Sequence, residues 1–111
     1  MPAQIPHADL VVRRRAVLDA LAQACADEGA PVSAQLVERG VRAFGLDLSV
    51  AAVRTTLSQF HAGGYVAKIY RMGRPTGSGA SGHGVVYALR QYPPDSVIEA
   101  PKRRANIRQA A

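Results

Sequence analysis

Tryptophan is absent, phenylalanine occurs twice and cysteine once in 111 residues. With so few aromatic rings, a core has to be assembled mainly from Val, Leu and Ile, and these are regularly spaced between Leu10 and Leu89. The single Cys25 excludes an internal disulfide and suits a reducing compartment, so a cytoplasmic protein is expected. No apolar run approaches the roughly 18 residues of a spanning helix, so no membrane partner is expected. Met1–His7 lacks the charged-then-apolar pattern of a secretory signal. His7, His61, His83 and Cys25 show no metal-ligand spacing, so no metal or cofactor is expected. A chain of this length supports one domain. It is too short for a TIM barrel, a protein kinase or a two-domain dehydrogenase.

The absence with most consequence is of carboxylates between residues 48 and 94. That stretch carries Arg54, Lys68, Arg71, Arg74 and Arg90 and no Asp or Glu. Residues 1–47 instead carry five Arg against six carboxylates, and residues 95–111 carry four cations against two. A formal charge of +6 concerns partners rather than fold, and its segregation concerns them more. A surface that meets phosphates excludes carboxylates, because each would repel the ligand. The same absence removes the paired carboxylates or Ser–His–Asp set that catalysis would need there, so no enzyme is expected.

Turn and cap residues divide the chain. Asp9 is placed to cap a helix to about Glu28, with Gly29 beyond its end. Val11, Val17, Leu18, Leu21, Ala22 and Cys25 give that helix one apolar face, which assigns Cys25 to the core. Arg13, Arg14 and Arg15 oppose the helix dipole early in it, which leaves a solvated basic face, a phosphate contact or a dimer contact as readings. Ala30-Pro31-Val32 allows no more than a turn or a two-residue bridge. Ser33 caps a second helix to about Phe44, stopped by Gly45, in which the small Gly40 permits a close helix crossing. Ser49 caps a third from Val50 to about Ala62, ended by Gly63-Gly64. Tyr65–Met72 and Val85–Arg90 predict two strands of a hairpin around a long Gly/Ser-rich connection. After Tyr92, Pro93 and Pro94 break regular structure. The tail to Ala111 is expected to be flexible and basic, with Val97, Ile98 and Ile107 available to a partner.

The segment Ser49–Arg71, SVAAVRTTLSQFHAGGYVAKIYR, within the order helix, short β link, helix, helix, strand, long loop, strand, resembles the winged helix-turn-helix of bacterial transcription regulators. The resemblance covers about residues 10–90. It implies an α+β, mostly helical fold of three helices plus a two- or three-stranded β wing over residues 9–92. Residues 1–8 then form an N-terminal arm and 93–111 the tail. It further implies double-stranded DNA as partner, with the third helix in the major groove and the wing on the backbone or minor groove.

Placed at 100° steps, Val53, Leu57 and Phe60 define the inner stripe of the third helix. Ala51, Thr55, Ser58 and Ala62 then point away, Arg54 flanks one side, and Ala52 and Gln59 flank the other. These side chains are small enough for close approach in a groove. Arg54 suits guanine, Gln59 suits adenine, and Ala51 or Thr55 suits a thymine methyl. Ser49 and the first free amides offer a phosphate site. The expected DNA contacts are therefore Ser49, Ala51, Ala52, Arg54, Thr55, Ser58 and Gln59, joined by Lys68, Arg71, Arg74, Thr76, Ser78, Ser81 and His83 of the hairpin.

Gly77–Gly82 spells G-x-G-x-x-G, but a strand follows it where a dinucleotide site needs a helix. Gly73-Arg74-Pro75 resembles part of the minor-groove AT-hook core, with Met72 where that core has Arg. The function expected from sequence is that of a small transcription regulator, a repressor, binding a pseudo-palindrome as a nucleoid-associated homodimer. The alternatives are a low-specificity architectural or plasmid or phage maintenance protein, and a protein-interaction winged helix.

Overall fold

The computed structural model describes residues 7–70 and 84–101. Among them lie four helices and three short strands, an α+β arrangement dominated by helix: α1 (His7–Glu28), β1 (Val32–Ser33), α2 (Ala34–Ala43), α3 (Val50–Ala62), β2 (Val66–Tyr70), β3 (Val85–Leu89) and α4 (Asp95–Glu99). No helix among these residues is long and apolar enough to cross a membrane.

The caps explain where α2 and α3 begin. The Leu36 N–H donates to Ser33 Oγ at 3.2 Å and the Ala52 N–H to Ser49 Oγ at 3.0 Å. Each bond satisfies an amide that has no partner inside its helix. Gly45 stops the first of these helices at φ +95, and Gly64 follows the second at φ +89. Both values lie in the left-handed region that a side chain disfavours. Helix α1 starts two residues before the expected Asp9 cap. Asp9 consequently lies in its first turn, where its carboxylate faces the positive end of the dipole.

The strands form one antiparallel sheet in the order β1-β3-β2. The two-residue β1 pairs Val32 with Tyr87 and Ser33 with Val86, and β2 pairs Val66 through Tyr70 with Leu89 through Val85. The bridge thus ties the link between α1 and α2 to the hairpin that follows α3. Val17, Leu18 and Leu21 of α1, Val37 and Val41 of α2, and Val53, Leu57 and Phe60 of α3 meet in the core with no exposure. Val66 and Ile98 close it from the sheet and from α4.

Helix α4 was not expected, and it corrects the boundary set at Tyr92. Residues 93–101 pack on α1 rather than forming a free tail. Ile98 is fully buried in the protein's own core and is not available to another molecule. Three polar contacts fix this segment. The Tyr92 hydroxyl donates to Asp19 Oδ1 at 2.7 Å and Arg15 donates to Asp95 Oδ1 at 2.8 Å. Arg14 donates to the Ile98 and Glu99 carbonyls at 2.8 and 3.2 Å. Those carbonyls are at the C-terminal end of α4, where a cation is favoured. Arg14 and Arg15, open to a phosphate or dimer role by sequence, are occupied within the chain.

Candidate nucleic-acid interface

The apolar spacing of α3 fixes which side chains it turns outward. With Val53, Leu57 and Phe60 buried, Ala51, Arg54, Thr55 and Gln59 stand exposed, next to the exposed cap residue Ser49. This face has no carboxylate and one cation. Ala52 and Ser58 lie at its margin, both half-buried, and Ala52 packs against the core. Ala62, expected to point straight out, is half-buried as well. The reason lies at the end of the helix, which is folded back onto β2. The Tyr65 N–H donates to the Phe60 carbonyl at 2.9 Å. His61 Nδ1 lies 3.0 Å from the Val66 carbonyl, which can only accept, so Nδ1 carries the hydrogen. His61 therefore has a specific partner beyond the helix dipole.

The hydroxyls of this face are partly committed. Thr55 Oγ1 donates to the Ala51 carbonyl at 3.0 Å and Thr56 Oγ1 to the Ala52 carbonyl at 3.1 Å. Thr55 thus offers outward its methyl group and an acceptor oxygen, while Arg54 and Gln59 keep their donors. Ser49 Oγ accepts from Ala52, and its own hydrogen is left for an external acceptor. By helix geometry the Val50 and Ala51 amides have no partner inside the helix either. Against a phosphate there stands Asp47, exposed two residues before the cap.

After α3 comes β2, an edge strand of the described sheet. Lys68 is half-buried, with its ammonium 5.7 Å from the centre of the Tyr70 ring, and Tyr70 is 67% exposed. Tyr70 is not among the contacts expected from sequence. Tyr87 of β3, by contrast, is buried in the core. Tyr70 lies at the far end of β2, two residues on from Lys68, whereas Tyr87 sits mid-strand opposite that lysine. Arg71, Arg74, Thr76, Ser78, Ser81 and His83 lie outside the described residues.

Cys25 is half-buried rather than fully enclosed. It packs against the core with its thiol 3.7 Å from the Tyr87 carbonyl, to which it can donate. Among the described residues no three His, Cys, Asp or Glu side chains are grouped to hold a metal ion. The buried Glu38 is bound by Arg42, whose Nη2 and Nε donate at 2.6 and 3.1 Å, a pairing within α2. Comparison with protein-family models, with curated proteins and with solved structures found no match to this chain.

Proposed function

We propose that this chain is a double-stranded-DNA-binding protein of winged helix-turn-helix type, in which α3 enters the major groove. It performs no catalytic step and needs no cofactor in this reading. The observation that carries it is the outward face of α3, where Ala51, Arg54, Thr55 and Gln59 are exposed without one carboxylate. A solvated helix face ordinarily mixes charges of both signs. The order of elements supports the same reading, because β1 joins the hairpin to the helix pair and β2 continues from the end of α3.

In this arrangement Arg54 and Gln59 read base edges, Ala51 and the Thr55 methyl meet thymine methyls, and Lys68 binds the flanking backbone. The regulatory role that follows is repression by occupancy of a pseudo-palindromic site by two copies. Low-specificity binding is the second reading, and the committed Thr55 hydroxyl favours it. With that hydrogen spent on the Ala51 carbonyl, Arg54 and Gln59 are the exposed face's only long donors.

Selection of bound duplexes from a random library, then titration of the selected and a scrambled duplex, tests both. A two-fold-symmetric motif bound at least about a thousandfold more tightly supports the site-specific reading. Equal binding that collapses with salt supports the low-specificity one. Absence of binding to either duplex overturns both.

A further inference from the structure

We propose that His61 is a positioning residue for DNA binding: by holding the Val66 carbonyl it fixes the direction in which β2 leaves α3, and so where Lys68 stands relative to the outward face of that helix. The inference rests on the DNA-binding reading and adds to it a residue outside the expected contacts. Only Gly63, Gly64 and Tyr65 separate α3 from β2. Adjacent glycines restrict the chain very little, and Gly64 takes φ +89. The direction of β2 therefore depends on contacts across the turn. The Gly64 N–H donates to the His61 carbonyl at 3.0 Å and the Tyr65 N–H to the Phe60 carbonyl at 2.9 Å. The imidazole Nδ1, 3.0 Å from the Val66 carbonyl, reaches the strand itself.

The sheet explains why a side chain is needed there. Successive residues of a strand turn their N–H and C=O groups to opposite edges. The Tyr65 carbonyl accepts from the Arg90 and Gln91 N–H groups at 2.8 and 3.2 Å, so it points towards the chain leaving β3. The Val66 carbonyl accordingly points to the other edge of β2, where no strand lies among the described residues. Val66 is buried, and a buried carbonyl without a donor is costly. His61 supplies the donor that the sheet lacks. Lys68 follows two residues on, with its ammonium 5.7 Å from the centre of the Tyr70 ring. The strand is thus placed by His61, and the cation it carries is placed by the ring.

Two measurements test this, both at about pH 8.5, where an imidazole is ordinarily neutral. The first is a long-range proton–nitrogen NMR correlation on the free chain. It is expected to show the His61 hydrogen on Nδ1, and a hydrogen on Nε2 overturns the bond to Val66. The second is anisotropy on one random-sequence duplex from about 50 to 200 mM salt, at a pH where a changed slope does not report the imidazole's own charge. Lys68→Gln is expected to lower the slope of log K against log salt by about 0.9, the share of one phosphate contact. His61→Leu is expected to lower it by up to the same amount, and the double variant no further. His61→Asn, whose amide nitrogen stands about where Nδ1 does, is expected to keep the slope of the unaltered chain. Should His61→Leu not fold, His61→Gln replaces it, with its amide nitrogen nearer the place of Nε2. An unchanged slope in His61→Leu beside a lowered one in Lys68→Gln overturns the positioning role. So does a second full drop in the double variant, or a slope in His61→Asn as low as in His61→Leu. An unchanged slope in Lys68→Gln, with DNA still bound, overturns the inference and leaves the role of α3 standing. If the full chain binds no duplex at any salt, the DNA-binding reading fails and this inference with it.

Discussion

Gly40 of α2 lies so close to Ala20 of α1 that a methyl group at position 40 would stand 3.0 Å from the Ala20 methyl. The Ala20 methyl is bonded directly to the backbone and cannot rotate away, so relief requires the helices to separate. Alanine is the better helix former by about 1 kcal/mol. Gly40→Ala is nevertheless expected to lower stability, and Gly40→Val to lower it by about 1–3 kcal/mol through overpacking. Urea unfolding measures both. A gain of stability in Gly40→Ala would contradict the close crossing.

Ile98 tests whether the domain ends at Tyr92 or includes α4. Its side chain is fully buried among residues of α1 and its neighbours. Truncation to alanine removes buried methyl groups and leaves a cavity, so Ile98→Ala is expected to cost about 2–5 kcal/mol in chemical unfolding. Val97, half-buried, is expected to cost less when truncated. A loss below about 0.5 kcal/mol for Ile98→Ala, the level of an ordinary surface substitution, would mean that α4 does not belong to the cooperative unit.

Tyr92 gives the fold a pH dependence on the alkaline side. Burial, reinforced by the hydrogen bond to Asp19, pushes its hydroxyl up from 10.0 to about 12. Between these values the unfolded chain has lost the proton and the folded one keeps it. Stability is therefore fully present below about pH 10 and falls as pH rises towards 12. The residue is 39% exposed, and solvent screening holds the effect to about 1 kcal/mol. Tyr92→Phe is expected to remove this part of the decline between pH 10 and 12. A wild-type and variant decline of equal depth would show that the hydroxyl is not protected.

Arg54 and Gln59 are expected to separate specificity from affinity. If they read bases, Arg54→Ala and Gln59→Ala each relax one position of a selected site and cost about 1–3 kcal/mol on that site. On a scrambled duplex Gln59→Ala should be silent, because an uncharged amide releases no counterion. Equal loss on both duplexes for Gln59→Ala would place it outside any base-reading role.

Much of the fold was legible because caps and stops are local. Ser33, Ser49, Gly45 and the Gly63-Gly64 pair mark helix ends that depend on a few neighbouring atoms. Gly40 was legible for a similar reason, since a small residue on a helix carries its own steric meaning. Helix α4 was not, because five residues between prolines have no periodicity of their own. Its order comes from the burial of Ile98 and from Arg14 and Arg15, contributed by a helix about eighty residues earlier. The outward face of α3 was legible at Ala51, Arg54, Thr55 and Gln59, where only the helical period matters. At Ser58 and Ala62 the period alone was insufficient, because the end of α3 folds against β2. Nor does spacing show that the Thr55 hydroxyl turns back to the Ala51 carbonyl.

The most direct test of DNA reading by α3 is a backbone amide chemical-shift map of the full chain, recorded with and without a duplex. The largest changes are expected at Ser49, Ala51, Arg54, Thr55 and Gln59, with smaller ones at Lys68 and Tyr70 and little along buried α2. Shifts confined to residues outside α3, or no shifts at a duplex concentration that saturates anisotropy, would contradict the assignment of this helix to the groove.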